Sequence, residues 1–288
     1  RAPHQLILQW SIHSERSRSG DRVAYFRDIT RETEVDRMKS EFLSTAAHEL
    51  RTPMTSIYGF VQLLTLRRMD ESRTRDLLGT IARQSGLMIE IINQLLDLAR
   101  IESRRGQDFR REPHALADLV RAVLEGYRLP PGREPAQVQS DLQLPDVIGD
   151  GQKLQQALLN IIANAYKYSP AGGPVNIALL QRCDDDGRNQ IGVAVSDTGI
   201  GMTAEQLTHV CERFYRADSS GNIPGTGLGM AIVKEIIDLH SGELHLQSQP
   251  GAGSTVTLWL PAAIQGTEPL PQRRLPALAP PQTPSPAA

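Results

Sequence analysis

The sequence predicts an α+β protein, in which a helical hairpin precedes a domain of mixed helices and strands. Within residues 30–102, two long amphipathic helices are separated only by a break at Met69–Ser72. Residues 151–169 form a further helix that Pro170 ends, and segments with alternating apolar residues, which indicate strands, follow it. Helices that come first and are followed by a run of strands are typical of the α+β class.

Composition indicates a globular protein without a broad charged surface. The chain has 288 residues, of which 40% are hydrophobic, and its net charge is −2. This length is enough for two or three domains, and the near-neutral charge argues against nucleic acid or an anionic membrane as a partner. Cys183 and Cys211 are too few for a disulfide framework or a metal cage, which suits the reducing cytoplasm.

Apolar runs of the roughly 18–20 residues that cross a bilayer do not occur in the sequence, and no signal-peptide pattern opens it. We therefore expect no membrane segment within this chain and a cytoplasmic location. Because the sequence starts at Arg1 and not at a methionine, a fragment with a membrane anchor further upstream stays an open alternative.

Two short strands open the chain. Residues 5–13 and 22–27 have the composition of strands and are joined through a turn at Ser19–Asp21. A hairpin of this size is marginally stable alone, so we expect it to belong to a sheet whose other strands lie upstream. A boundary hairpin without a function is the alternative.

Each of the two long helices carries one apolar face, on which residues recur at 100° per residue. A hairpin with two such faces has no closed core of its own. Pairing with a second copy into a four-helix bundle is the simplest way to bury both faces, and we predict a homodimer. The apolar positions are Val35, Met38, Phe42, Ala46, Ile57, Phe60 and Leu64 in the first helix and Leu77, Ile81, Met88, Ile91, Leu95 and Leu98 in the second.

His48 stands apart from the apolar face of the first helix. On the helical wheel it projects away from the Phe42 side and therefore points outward. A lone exposed histidine is usually a plain solvated residue, but here Glu49 supplies a neighbouring carboxylate and Pro53 can bend the helix one turn later. A His-Glu-x-x-His metal site would need a second histidine where Thr52 stands. His48 is therefore a candidate for chemistry and not for packing.

The helix at residues 151–169 separates a polar face from an apolar one. Asn160, Asn164 and Lys167 share the polar face. Amide oxygens are hard ligands that suit Mg²⁺, and a lysine one turn on can meet a phosphate. An ordinary amphipathic helix with a solvated face is the alternative. The apolar stripe consists of Leu154, Leu158, Ile161, Ile162 and Ala165.

Two glycine-containing segments lie further along the chain. Asp197 ends a predicted strand and is followed by two glycines that let backbone approach a ligand, although an ordinary turn would look the same. Three glycines then alternate within Gly225–Gly229 at the start of a helix, where free N–H groups can bind phosphate. The spacing is neither that of a Walker A loop nor that of the dinucleotide fingerprint.

Five segments, taken in order, resemble the boxes of the sensor histidine kinases. Ser44–Pro53, with its string His-Glu-Leu-Arg-Thr-Pro, resembles the H-box, in which the histidine is autophosphorylated. The helix at residues 151–169 resembles the N-box, Asp197–Met202 the G1 box, Glu212–Asp218 the F-box and Gly225–Glu235 the G2 box. The resemblance implies a hairpin that dimerises as a four-helix bundle, followed by an α/β sandwich that binds ATP, as in the superfamily of gyrases, chaperones and histidine kinases.

The resemblance also implies roles for single residues. His48 would accept the γ-phosphate of ATP and pass it to an aspartate of a response regulator, with Glu49 handling the proton and Thr52 positioning water for a reverse phosphatase activity. Asn164 would bind Mg²⁺, and Asp197 would receive the adenine amino group. The other residues that the resemblance places around the nucleotide are Asn160, Lys167, Tyr168, Gly199, Gly201, Arg213, Phe214, Arg216, Gly225, Thr226, Gly227, Leu228 and Gly229.

Four parts of the chain are expected on this basis. Residues 1–29, which run straight into the first long helix, resemble the end of a PAS sensor domain, so an upstream sensor region is expected. Residues 30–102 would be the dimerisation and phosphotransfer hairpin, and residues 103–262 the catalytic ATP-binding domain with a mobile lid at 219–224. Residues 263–288 are proline-rich and are expected to be disordered.

Three alternatives to an active kinase stay open. The first is a phosphatase-dominant member of the family that rarely autophosphorylates. The second is a catalytically silent, nucleotide-gated signalling scaffold. The third is an ATPase of the gyrase and chaperone type, which shares the pattern of the ATP site but lacks the hairpin that carries His48.

Overall fold

The computed structural model describes residues 6–14, 22–104, 109–139, 144–184, 186–217, 223 and 225–263. The predicted lid and the predicted disordered tail therefore lie almost wholly outside the described residues.

An antiparallel hairpin opens the fold, as predicted. It pairs strands β1 (Leu8–Ser14) and β2 (Arg22–Asp28). Only Ile29 separates β2 from the first long helix. The Ile7 amide donates to Thr30 Oγ1 at 2.8 Å, so the hairpin is bonded to the start of that helix.

Two long helices follow and form the predicted helical hairpin. Helix α1 (Thr30–Leu66) and helix α2 (Glu71–Arg104) are joined by a short turn. Asp70 caps α2 by accepting from the Arg73 amide at 2.7 Å. Among the described residues, no helix has an apolar stretch long enough to cross a bilayer.

One chain covers the apolar faces of this helical hairpin only in part. Ala46, Ile91 and Leu98 are buried, whereas Val35 and Met38 of the predicted face are exposed. The helical hairpin therefore does not bury its apolar surface on its own. Further large apolar side chains are exposed on the two helices, namely Leu43, Met54, Tyr58, Val61, Leu63, Leu66, Leu78, Ile89, Ile92 and Leu96.

A five-stranded sheet forms the base of the second domain. The strands of this domain are β3 (Glu112–His114), β4 (Gln137–Gln139), β5 (Val147–Gly149), β6 (Asn176–Cys183), β7 (Asn189–Ser196), β8 (Glu243–Gln249) and β9 (Gly253–Pro261). The large sheet has the order β4-β6-β7-β9-β8, in which β4 is parallel to β6 and the other neighbours are antiparallel. Strands β3 and β5 pair separately.

Helices cover one face of this sheet. They are α3 (Leu116–Gly126), α4 (Gly151–Lys167) and α6 (Gly229–Leu239), with the short α5 (Ala204–His209) at the side. The predicted apolar stripe of α4 is buried in the core between these layers. The same core contains Ile101 near the end of α2, so the packing of the helical hairpin continues into that of the second domain.

Candidate active site

A pocket opens between α4, the loop that follows β7 and the glycine-rich turn before α6. Helix α2 of the helical hairpin forms a further side of this pocket. The structure thus brings together the segments that the sequence singled out, although they are far apart along the chain. The predicted nucleotide residues that line the pocket are Asn160, Asn164, Lys167, Tyr168, Asp197, Gly201, Thr226, Gly227 and Gly229.

Three further predicted residues are neighbours of the pocket but do not line it. The Gly199 amide donates to Asp197 Oδ1 at 2.8 Å, and the Leu228 side chain is fully buried. Gly225 lies against Lys167, since a Cβ at this glycine would stand 2.1 Å from the lysine Nζ. These residues shape the site through their backbone.

Arg213, Phe214 and Arg216 also stand outside the wall, and two of them contact α1. The Phe214 ring centroid lies 5.7 Å from that of Phe42, and the Arg213 guanidinium lies 5.1 Å from the same Phe42 ring. Arg216 Nη2 donates to the Ile223 carbonyl at 2.7 Å, while its buried Nε has no acceptor among the described residues. In this conformation the predicted F-box is therefore a contact between the two domains.

Asp197 directly follows β7 and lines one end of the pocket. Its Oδ1 accepts from the Gly199 amide and lies 3.4 Å from Ser169 Oγ. Burial raises the pKa of Asp197, whereas the amides of Gly199 and Ser254, the Ser169 hydroxyl and the charge of Arg133 oppose that rise. A half-buried carboxylate of this kind can accept a hydrogen bond from a ligand.

Lys167 ends α4 beside the glycine-rich turn. Burial lowers the pKa of Lys167, the nearby Glu90 carboxylate raises it, and the charge of Arg216 lowers it. The lysine Nζ also lies 4.8 Å from the centroid of the Tyr168 ring. A half-buried ammonium group in this position is suited to bind an anion such as a phosphate.

Two polar residues of the pocket come from α2, and the sequence analysis missed them. Gln94 Nε2 donates to Glu90 Oε1 at 3.2 Å, and Gln94 Oε1 accepts from Thr226 Oγ1 at 2.5 Å. Nearby, Asp97 Oδ2 accepts from Gln156 Nε2 at 2.7 Å. Periodicity marks these α2 positions as polar but carries no signal for the domain that they meet. Apolar residues that were also missed complete the wall, namely Ile200, Met202, Val210, Tyr215, Leu246 and Val256.

His48 lies on the outer surface of α1, as predicted, with 73% of its side chain exposed. Its Nδ1 is 3.8 Å from Glu49 Oε1, and the Thr52 hydroxyl donates to the His48 carbonyl oxygen at 3.3 Å. Helix α1 continues through Pro53. None of His48, Glu49 and Thr52 belongs to the described wall of the pocket. The histidine and the pocket are thus separate in this conformation.

Two protein families match the chain, in the order of its two domains. Residues 38–104 match the His Kinase A (phospho-acceptor) domain, and residues 149–264 match the histidine kinase-, DNA gyrase B- and HSP90-like ATPases. The chain belongs to the sensor histidine kinases. The hairpin match removes the alternative of a gyrase- or chaperone-type ATPase, and the ATPase match implies that the second domain of this histidine kinase binds ATP.

Curated relatives of this histidine kinase are longer sensor proteins. The phosphate regulon sensor protein PhoR of Pseudomonas aeruginosa is 34% identical over 272 residues, which cover 92% of this chain and 59% of PhoR. Sensor histidine kinase WalK of Bacillus subtilis is 31% identical over 258 residues, which cover 87% of this chain and 41% of WalK. The chain therefore spans about half the length of these two relatives.

A solved histidine kinase has a similar fold. AdeS of Acinetobacter baumannii superposes with a TM-score of 0.55 at 24% identity, over 75% of this chain and 98% of AdeS. This likeness supports the arrangement of a helical hairpin followed by an α/β sandwich.

Proposed function

We propose that this chain catalyses the ATP-dependent autophosphorylation of His48 and then passes the phosphoryl group to an aspartate of a response regulator. The observation that carries the proposal is the combination, in one chain, of an exposed helical histidine with a pocket whose polar wall includes Asn160, Asn164, Lys167 and Thr226. The pocket would hold the phosphate donor, and the histidine would be the acceptor. Phosphoryl transfer asks a protein mainly to position groups and to neutralise charge.

The polar end of the pocket fits a magnesium-bound polyphosphate. Asn164 would hold Mg²⁺ through its amide oxygen. Asn160 Nδ2 donates to the Gly229 carbonyl at 3.5 Å, which leaves its amide oxygen for the ion or its water. Mg²⁺ usually keeps several waters and takes few protein ligands beside phosphate, where it neutralises charge on the transferring group. Lys167 and the free amides at the start of α6 would bind the phosphates.

The other end of the pocket fits adenine. Asp197 in its ionised form would accept a hydrogen bond from the exocyclic amino group, and Ile200 and Met202 offer apolar contact to the base. Gly199 brings the Asp197 loop against the end of α4, because a Cβ there would stand 2.1 Å from the Tyr168 carbonyl oxygen. The glycine is therefore needed for the depth of the adenine site.

The reacting nitrogen of His48 follows from the position of Glu49. Because Nδ1 is the nitrogen near Glu49 Oε1, at 3.8 Å, the carboxylate favours a proton on Nδ1 and leaves the lone pair of Nε2 free. Nε2 would form a bond to the γ-phosphorus as the bond from that phosphorus to the β,γ-bridging oxygen breaks and ADP leaves. Glu49 would stabilise the positive ring and receive the Nδ1 proton.

A movement of the second domain is required for this transfer. His48 is outside the pocket wall, so the ATP site and α1 must approach each other before the γ-phosphate can reach Nε2. The contacts of Phe42 with Phe214 and of Gln94 with Thr226 hold the domains in the present arrangement. We therefore interpret this conformation as one that precedes or follows transfer.

We also propose a homodimer in which two hairpins form a four-helix bundle. Leu43, Met54 and Tyr58 of α1 are 66%, 55% and 64% exposed, and Ile89 of α2 is 60% exposed. Exposed apolar surface on adjacent helices of this length is typical of an interface. Light scattering should give twice the chain mass of 31.7 kDa, and a monomeric mass would contradict the bundle.

The partners and the location that we expect for this kinase are those of a signalling protein. A receiver domain of a response regulator would take the phosphoryl group. An upstream sensor region would transmit its signal to the helical hairpin through β1 and β2, which would be the end of a PAS-like domain. The cytoplasm, either free or beneath a membrane-anchored sensor, would be its location.

Labelling with γ-labelled ATP and Mg²⁺ tests the kinase. Label that is lost in acid and retained in alkali is expected on the wild-type chain, because a phosphorus–nitrogen bond has this stability. It should disappear in His48→Ala and remain in His245→Ala, a control histidine that is half exposed on β8. Label that persists in His48→Ala, or that never forms on the wild type, would contradict the proposal.

A second candidate activity is the removal of the phosphoryl group from the regulator. The observation that favours it is the Thr52 hydroxyl, which is held one turn after His48 by its bond to the His48 carbonyl and keeps lone pairs for a water. Thr52→Ala should slow dephosphorylation of a receiver domain that the wild type has phosphorylated, while autophosphorylation is retained. Thr55→Ala is the control, since Thr55 makes the same type of bond to the Arg51 carbonyl at 2.9 Å. Unchanged dephosphorylation in Thr52→Ala would exclude this role.

A further inference from the structure

Arg133 lies in the loop between α3 and β4, outside all five segments that resemble the kinase boxes. Its guanidinium donates to three carbonyl groups at the end of α4 and just after it. Nη1 lies 3.2 Å from the Tyr166 oxygen and 2.5 Å from the Ser169 oxygen, and Nη2 lies 3.1 Å from the Gly173 oxygen. The Arg133 side chain therefore links three carbonyl groups within residues 166–173.

The end of α4 needs such a partner. The last carbonyl groups of a helix have no intrahelical donor, and they carry the negative end of the helix dipole. A guanidinium group satisfies several of them at once with charge-assisted bonds, which an uncharged side chain cannot do. Arg133 also stacks on the Tyr166 ring at 5.1 Å, and that ring stacks on Tyr127 at 5.4 Å. The guanidinium is thus fixed on a rigid aromatic support.

The segment at residues 166–173 is in direct contact with the loop of Asp197. The Tyr168 carbonyl accepts from the Ile200 amide at 3.0 Å. Ser169 is buried, and its Oγ lies 3.4 Å from Asp197 Oδ1. On the other side, a Cβ at Gly173 would stand 2.2 Å from Thr198 Oγ1, so the two segments fit closely. A shift of the end of α4 would therefore shift the carboxylate.

We propose that Arg133 is a positioning residue for recognition of the adenine base. By holding the carbonyls of Tyr166, Ser169 and Gly173, it fixes the segment that orients the Asp197 carboxylate. This inference rests on the proposed contact between Asp197 and the adenine amino group. Arg133 itself lies outside the pocket wall and acts through Asp197.

The positive charge of Arg133, like its hydrogen bonds, favours an Asp197 carboxylate that can accept a hydrogen bond from the adenine amino group. Burial raises the pKa of Asp197, and the positive charge of Arg133 is one of the influences that lower it. Only the ionised carboxylate is a pure acceptor for an amino group. Loss of the charge should therefore raise the pH at which ATP binding weakens.

Comparison of ATP with inosine triphosphate isolates this role, because the inosine base carries a carbonyl where adenine carries the amino group. In Arg133→Gln, the affinity for ATP should fall about tenfold, equivalent to about 1.4 kcal/mol, while the affinity for inosine triphosphate changes much less. Arg133→Lys, which keeps the charge with fewer donors, should recover part of the preference. Arg128→Gln, an exposed arginine of the same loop, should match the wild type. ATP titrations over a range of pH should show that the pH at which binding weakens rises in Arg133→Gln only.

The outcomes separate this inference from the proposed function. If Asp197→Asn leaves the preference for ATP intact, the adenine assignment itself fails. If Asp197→Asn removes the preference but Arg133→Gln retains it, the positioning role of Arg133 is wrong and the adenine assignment stands. If Arg133→Gln weakens both nucleotides equally, Arg133 has only a structural role and the inference is overturned. Should Arg133→Gln fail to fold, an unchanged ATP preference in Arg133→Lys, which has fewer donors for the three carbonyls, overturns it as well.

Discussion

Gln94 and Thr226 join the helical hairpin to the proposed ATP site, since Thr226 Oγ1 donates to Gln94 Oε1 at 2.5 Å. Burial lowers the pKa of Lys167, and Glu90, one turn before Gln94, is the charge that opposes this lowering. The groups that would bind phosphates are therefore already engaged by α2. A polyphosphate bound there would have to compete with these α2 side chains, so we expect nucleotide binding to be linked to the arrangement of the domains.

Gln94→Ala should tighten nucleotide binding. Without this contact, ATP no longer has to break the bond between α2 and Thr226. A hydrogen bond of this kind contributes about 0.5–1.5 kcal/mol net, so the affinity should rise about two- to tenfold. Titration with a fluorescent ATP analogue measures it, and Asn93→Ala, an exposed neighbour on α2, is the control. Weaker binding in Gln94→Ala would show that Gln94 contacts the nucleotide instead.

Phe42→Ala should raise the initial rate of autophosphorylation at saturating ATP. The contact of Phe42 with Phe214 and Arg213 keeps the second domain in its present position, and an aromatic pair contributes about 0.5–1.5 kcal/mol beyond its buried area. Its loss should free the domain to approach His48 without changing the pocket. Ser40→Ala, an exposed position on α1, serves as the control. A slower rate in Phe42→Ala would mean that the contact belongs to the productive arrangement.

Gly227→Ala should damage the proposed ATP site, whereas Gly229→Ala should be tolerated. Gly227 has a φ of +72°, and a Cβ there would stand 2.5 Å from the Phe214 backbone carbon. The left-handed backbone alone costs a non-glycine residue about 1 kcal/mol, and the clash adds to it. At Gly229 the nearest atoms are those of the Asn160 side chain at 3.9 Å, an ordinary contact. Melting temperature and ATP affinity should both fall in Gly227→Ala only, and equal effects would contradict this account.

His240 should make the folded state sensitive to acid. It is buried, its Nε2 accepts from the Asp150 amide at 3.1 Å, and its Nδ1 lies 2.7 Å from the Ile236 carbonyl oxygen. Burial lowers the pKa of His240 below the ordinary value of 6.5. As the pH falls below about 6.5, the unfolded chain binds a proton that the folded chain resists, so stability is present above this pH and is lost below it.

Urea unfolding at about pH 7.5 and about pH 5.5 measures this loss, whose slope for one group is at most about 1.4 kcal/mol per pH unit. His240→Gln should be less stable than the wild type but should depend less on pH. His245→Gln, at a half-exposed histidine of β8, should keep the wild-type slope. Identical slopes in the wild type and in His240→Gln would contradict the assignment.

Properties that depend on one element were predictable from the sequence. The outward position of His48 and the buried stripe of α4 follow from helical periodicity, and both are confirmed. The place of Asp197 at the pocket follows from its position at the end of a strand before two glycines. In each of these cases the local pattern alone decides which way a side chain points.

Properties that depend on contact between distant segments were not predictable. Glu90 and Gln94 look like ordinary polar residues of a helical surface until α2 is placed beside the pocket. Arg213 was expected near phosphate, but its guanidinium lies over Phe42 in this arrangement. Arg133 stands in a loop without a motif, and its role depends on carbonyl groups about thirty to forty residues away along the chain. Periodicity shows that a face is polar or apolar, not which surface covers it.

The join between β2 and α1 has a mechanical consequence. Ile29 is the sole residue between them, its amide donates to the Ile7 carbonyl at 3.0 Å, and the Thr30 amide donates to Asp28 Oδ1 at 2.9 Å. This junction has no slack, so a twist of the strands must turn α1 with them. Since each helical residue advances by about 100°, one residue inserted at the junction would rotate His48 by more than a quarter turn relative to the strands. We therefore expect the orientation of these strands to set the angular position of His48, the proposed phosphoryl acceptor.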